Sequence, residues 1–134
     1  MKSVTTFLMF VGDQHGKAEQ AMGFYTSLFD GSRIVNVERY GAEEAEPKGT
    51  VKMAVFTLNG EEFMAMDSAR PHPFTFTPAI SLFVECESLE EIEKAYKGLS
   101  DGGTPLMELG DYGLSKRFGW VEDKFGVSWQ LNLA

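Results

Sequence analysis

The sequence predicts an α+β fold of two βαβββ modules, and three observations carry that prediction. Apolar periodicities run strand, helix, strand, strand, strand twice along the chain. A stretch with three prolines and no periodicity, Ser68 to Pro78, separates the two runs, and individual residues repeat across it. The 134 residues, 43% hydrophobic and 13% aromatic, suit one domain with a continuous core. The expected organisation is a single domain over 1–134, with module 1 over about 4–67, a linker over 68–78 and module 2 over about 79–134.

The first element is the apolar run from Thr5 to Val11, too short for a helix and bulky enough for a buried strand. Beyond Gly12-Asp13, Ala18, Ala21, Met22, Tyr25, Leu28 and Phe29 recur at helical spacing, and Asp30-Gly31 ends that helix. Strands are expected around Ile34 to Tyr40, Val51 to Leu58 and Glu62 to Asp67. Asn59-Gly60 marks a tight hairpin between the last two. In the second half, Ile80 to Cys86 is an apolar strand. Ser88 with Glu91 forms a capping box ahead of a helix that buries Ile92, Ala95, Tyr96 and Leu99. Asp101-Gly102-Gly103 closes that helix, and strands follow at Thr104 to Leu109, Arg117 to Asp123 and Val127 to Leu133. Phe10-Val11 answers Phe83-Val84, Tyr25 answers Tyr96, and Leu28 with Asp30-Gly31 answers Leu99 with Asp101-Gly102, the pattern of an internal duplication.

One helix per four strands can cover only one face of each sheet. In the last strand Val127, Trp129, Leu131 and Leu133 alternate with Ser128, Gln130 and Asn132, so the polar set is expected on the open face. By the same parity Thr6, Leu8 and Phe10 would join Ala79, Ser81 and Phe83 on an open face, where mixed sheets curved around a cleft would hold an organic, mostly apolar ligand. The expected ligand cleft is Thr6, Leu8, Phe10, Asp67, Ser81, Phe83, Tyr112, Trp120, Ser128 and Gln130. Tyr112 would arrive on the glycine-bearing loop from Gly110 to Ser115 acting as a lid. A filled core without a cavity is the competing outcome.

Twelve basic against twenty acidic residues leave a net charge of -8, which disfavours phosphate backbones and anionic lipid surfaces. No apolar run approaches the roughly 20 residues of a membrane span, and no signal-peptide pattern opens the chain, so a cytoplasmic location is expected. Cys86, the one cysteine, sits in an apolar run and is expected to be a buried, unreactive thiol. His15 in a loop and His72 between two prolines lie off the strands and read as surface residues.

The strings FLMFVGD, AMGFYTSLFDG, AISLFVEC and RFGWVEDKFGVSWQLN, in this order of elements, resemble the PhnB-like branch of the vicinal-oxygen-chelate superfamily over nearly the whole chain. That superfamily also contains glyoxalase I, bleomycin-resistance proteins, fosfomycin-modifying enzymes and ring-cleaving dioxygenases. The resemblance implies the glyoxalase/bleomycin-resistance fold and a homodimer. In metal-dependent relatives, ligands come from the first, fourth, fifth and eighth strands. The matching positions here are Thr6, Met64 or Ala65, Ala79 and Gln130, of which only Gln130 could coordinate, so no metal and no cofactor are expected. Members of the branch are described as demethylubiquinone methyltransferase-like, yet this sequence has no G-x-G-x-x-G turn opening a helix.

Three functions stay open. The first is a metal-free binder of a small, aromatic-bearing ligand, cationic if the acidic charge plays a part. The second is an acid/base enzyme in which Gln130 and Ser128 orient a substrate and Asp67 or Glu122 moves a proton, or a metal-dependent lyase, isomerase or dioxygenase of the same superfamily. The third is a structural or regulatory module with no ligand.

Overall fold

In the computed structural model, which describes residues 1–134, the order of elements is the predicted one. The first module contains β1 (Thr6–Phe10), α1 (Ala18–Leu28), β2 (Arg33–Arg39), β3 (Val51–Leu58) and β4 (Glu61–Asp67). The second contains β5 (Ser81–Glu85), α2 (Leu89–Ser100), β6 (Thr104–Gly110), β7 (Arg117–Glu122) and β8 (Ser128–Leu133). The chain divides into two compact units, Met1–Thr75 and Phe76–Ala134, and the division falls inside the predicted linker. Each unit holds one four-stranded mixed sheet that does not close, ordered β1-β4-β3-β2 in the first and β5-β8-β7-β6 in the second. β1 runs parallel to β4 and β5 parallel to β8, while the remaining neighbours are antiparallel.

Local chemistry explains the boundaries. At Asn59-Gly60 both residues adopt positive φ, 48° and 85°, the left-handed pair that a two-residue hairpin between β3 and β4 needs. Ser88 caps α2, its Oγ accepting from the Glu91 N–H at 3.1 Å. The return bond differs from the predicted box: Glu91 Oε1 takes the N–H of Glu87 at 2.7 Å rather than that of Ser88. It still neutralises a backbone donor ahead of the helix.

Each helix lies on one face of its own sheet. In the first unit Tyr25 of α1 meets Phe56 of β3, with ring centroids 6.3 Å apart. Phe56 stacks on Phe63 of β4 at 5.2 Å. In register with these are Leu8 opposite Ala65, Ala54 opposite Ala65, and Phe10 opposite Asp67, all of them buried. In the second unit Ile92, Ala95, Tyr96 and Leu99 of α2 share the core with Val121, Trp129 and Leu131. Gly119 makes room for Tyr96, because a Cβ there would lie 2.7 Å from the ring. No helix is long and apolar enough to cross a membrane.

One hydrogen-bonded group ties the first unit together. Asp67, fully buried at the end of β4, accepts from the N–H groups of Gly16 at 2.9 Å and Ala18 at 3.1 Å through Oδ1, and from Val51 N–H at 2.9 Å through Oδ2. It joins the first turn of α1 to the start of β3, as an anion placed against unpaired helix donors should. Asp67→Ala leaves these buried donors without their acceptor and is expected to lower unfolding free energy by about 3 to 5 kcal/mol. Asp67→Asn, which keeps Oδ1 but turns an amide N–H toward Val51, should cost about 2 kcal/mol. Urea unfolding of the three proteins measures both losses, and equal stability in all three would remove Asp67 from this role.

Candidate functional site

The open face of the second sheet is assembled by strand register. Ser81 stands opposite Ser128, which stands opposite Glu122. Phe83 stands opposite Gln130, which stands opposite Trp120. Glu85 stands opposite Asn132, which stands opposite Phe118. Neighbours directly across a ladder point to the same side, so these residues share one surface, away from buried Trp129, Leu131 and Val121.

Its centre is a polar cluster. Ser81 Oγ and Ser128 Oγ are 2.7 Å apart, Trp120 Nε1–H donates to Ser128 Oγ at 2.8 Å, and Gln130 Nε2 donates to Ser81 Oγ at 3.3 Å. Ser128 is only 2% exposed, whereas Phe83 is 56% exposed. Aromatic rings therefore flank hydroxyl and amide groups on one side of the sheet, a combination that orients a small organic molecule. Beside the cluster, Asn132 Nδ2 donates to the Glu85 carboxylate at 3.0 Å and 3.3 Å. Tyr112 lies in the loop after β6, half exposed, with its hydroxyl donating to Glu108 O at 2.5 Å. Its ring meets Phe118 edge-on at 6.3 Å.

Of the ten residues predicted for the ligand cleft, Ser81, Phe83, Trp120, Ser128 and Gln130 share this face, and Tyr112 abuts it through Phe118. Leu8, Phe10 and Asp67 do not. They lie under α1, and Thr6, exposed where β1 begins, has the same parity. The prediction placed them one residue out of step. Phe10 is matched in facing by Val84 rather than Phe83, and a one-residue shift exchanges the two faces of a strand. Ala79 precedes β5 instead of lying in it.

What sequence reasoning missed is the true open face of the first sheet. Phe7 stands opposite Met64, Met9 opposite Met66, and Val55 opposite Met64, with Met53 two residues before Val55 on the same side. All are partly exposed. The alternation of Met53 and Val55 with Ala54 and Phe56 was the available signal. It was obscured because both sets are apolar.

The buried carboxylates are engaged in architecture. Asp67 is committed to α1 and β3 as described. Asp123 accepts from the N–H groups of Phe125 at 2.8 Å and Val127 at 3.0 Å, and from Trp129 Nε1 at 2.9 Å. This removes Asp67 from the open face where it was expected to move a proton. His15 Nε2 stands 3.9 Å from Glu46, and His72 Nε2 is 3.0 Å from Ser68 Oγ.

The family model for 3-demethylubiquinone-9 3-methyltransferase matches residues 2–132. The chain belongs to this family. The PhnB protein of Bacillus cereus, described as a methyltransferase of the same name, is 56% identical over 99% of this chain and 100% of its own, with a TM-score of 0.93. A glyoxalase/bleomycin resistance protein from Albidiferax ferrireducens T118 is 16% identical over 98% of this chain and 99% of its own, TM-score 0.60. The fosfomycin resistance protein FosX from Listeria monocytogenes is 11% identical over 100% of this chain and 95% of its own, TM-score 0.63. These last two share the fold. No curated protein matches the chain. The protein is thus PhnB-like, and it has the glyoxalase/bleomycin-resistance fold.

Two groups implied by such relatives fit these residues poorly. At the positions that match metal ligands, Thr6 is a lone hydroxyl at the margin of its sheet, Met64 a thioether, Ala65 and Ala79 have no donor, and Gln130, whose Nε2 donates to Ser81, adds only one neutral amide oxygen. No three His, Cys, Asp or Glu side chains are grouped to hold a metal ion. A nucleotide-type cofactor of a doubly wound methyltransferase would need a glycine-rich turn in a parallel βαβ unit with helices on both faces. This PhnB-like chain places a single helix on each sheet.

Cys86 follows β5 and is buried. Burial first, then the charges of Glu91 and Glu85, push its thiol up to about 12. The native protein should therefore alkylate with iodoacetamide at pH 8 at least a hundredfold more slowly than the urea-unfolded chain. The unfolded thiol ionises near 9 and the native one near 12, so its contribution to stability is complete below pH 9 and disappears as pH rises toward 12. Cys86→Ala should accordingly lose stability less steeply than the native protein over that interval, read by urea midpoints at each pH.

Proposed function

We propose that this PhnB-like protein binds a small, largely apolar organic molecule on the open face of its second sheet, without a metal. The observation that carries the reading is the Ser81–Ser128–Trp120–Gln130 cluster, a hydrogen-bonded polar centre with the exposed Phe83 ring in its central row. A sheet face kept only for packing has no use for two hydroxyls, an indole N–H and an amide converging at one point. A fold shared with proteins named for bleomycin and fosfomycin resistance supports this reading. So does the donor set, which offers hydrogen bonds and ring contacts but little to a divalent ion. The acidic surface, with Glu85 and Glu122 on the same face, favours a neutral or cationic ligand over an anion.

The reading extends to assembly and location. The edge strands β2 and β6 expose Val35 and Leu106 beside register irregularities, and β5 is an edge as well. Edge backbone next to exposed apolar side chains favours pairing with a second copy, so the protein works as a homodimer, in the cytoplasm. Sedimentation equilibrium at micromolar concentration should return about twice the 14.9 kDa chain mass, and a monomer would end the dimer assignment.

Trp120 and Trp129 are the two tryptophans, and only Trp120 lies on the proposed face. Titrating neutral aromatic compounds should change tryptophan emission saturably and raise the melting temperature, equally with and without EDTA. Trp120→Phe should abolish the emission change while the Trp129 signal persists. Emission and melting curves indifferent to every such compound, or a response lost with EDTA, would overturn the metal-free binding role.

A further inference from the structure

The hydrogen-bond polarity of the cluster specifies what the ligand must bring, an inference that rests on the binding role proposed above. Each serine hydroxyl has one proton and two lone pairs. Trp120 Nε1 can only donate, and it fills one lone pair of Ser128. Gln130 Nε2 fills one lone pair of Ser81. Between Ser81 and Ser128 a single proton makes the 2.7 Å contact, so one of the two hydroxyl protons is left over.

Burial decides which. Ser128 is 2% exposed and has no acceptor other than Ser81, so turning its proton away would strand a buried donor. Ser81 is partly exposed, where a proton can meet water or a ligand. Ser128 therefore donates to Ser81. Ser81 Oγ then accepts from both Ser128 and Gln130, has no lone pair left, and can only donate outward. Accepting two bonds also polarises its O–H and strengthens it as a donor. Glu122, opposite Ser128 on the same face, disfavours an anionic acceptor at this point.

We infer that Ser81 is the specificity-determining donor of the site, and that it selects a neutral carbonyl oxygen carried on an aromatic ligand. A ligand group that can only donate has no counterpart at Ser81. A carboxylate would have the acceptor but meets the charge of Glu122. A ketone or similar carbonyl satisfies both conditions, with its ring placed along the row of Phe83, Gln130 and Trp120.

A matched set of probes tests this: acetophenone, ethylbenzene, anilinium and benzoate, titrated against the full-length protein with backbone amide shifts of Ser81, Ser128 and Gln130 as the readout. Acetophenone should bind roughly fivefold more tightly than ethylbenzene, the gain of one neutral hydrogen bond, and benzoate more weakly than acetophenone. Ser81→Ala should erase the preference for acetophenone while ethylbenzene binds as before. Gln130→Glu, nearly isosteric, gives Ser81 an inward acceptor and should erase it too, without removing the hydroxyl. Ethylbenzene and acetophenone binding equally to the native protein, a preference that survives both variants, or tighter binding of anilinium or benzoate than of acetophenone, overturns the role of Ser81 and leaves the binding function standing. Failure of all four to shift these amides overturns the binding function and the inference together.

Discussion

Each four-stranded sheet has a single helix to cover it, and most other features of the molecule follow from that shortage. A helix shields one face, so the side chains of every strand divide into a set that must be apolar and a set that need not be. In the second unit Val121, Trp129 and Leu131 are the first set, while Ser128, Gln130 and Trp120 are the second. The functional candidates arise on the face the helix leaves bare. In the first unit the same division puts Phe10, Ala54, Phe56 and Ala65 under α1 and leaves a surface of Phe7, Met9, Met53, Met64 and Met66.

The two open faces have different chemistry. The methionine-lined one offers flexible, polarisable thioethers that adapt to many shapes and specify few. The face around Ser81 and Ser128 offers defined directions: the Trp120 indole can only donate to Ser128, and Gln130 directs its Nε2 at Ser81. Direction rather than area makes the second face the better candidate for recognition. Its groups can orient a molecule and donate hydrogen bonds, and the positions that match metal ligands bring no imidazole or carboxylate.

Both fully engaged buried aspartates are organisers of backbone. Asp67 gathers amides from a helix start and a distant strand, and Asp123 gathers those of its own turn together with the Trp129 indole. A carboxylate with three N–H donors has little capacity left for a substrate, and its removal would be felt in folding before it was felt in any chemistry. An acidic residue at the end of a strand in this fold is therefore a weak pointer to catalysis unless its oxygens are free.

The order of elements, their limits to within a residue or two, the hairpin at Asn59-Gly60, the Ser88 cap and the division of β8 into two faces were all determined by the sequence itself. These depend on neighbours a few positions away: period, turn chemistry and capping are local. The facing of β1 was not legible, since an unbroken apolar run such as Thr6–Phe10 looks alike in either register. Only pairing with β4 fixed Phe10 inward and Met9 outward. The same holds for Asp67, which reads as an available carboxylate until its partners, 16, 49 and 51 residues away, are in place. Strand parity put Ser81 and Ser128 on an open face, but the hydrogen bond between them, across 47 residues of sequence, was not legible. Tertiary structure decided these points because a hydrogen bond between distant residues depends on strand pairing, and pairing depends on the whole sheet.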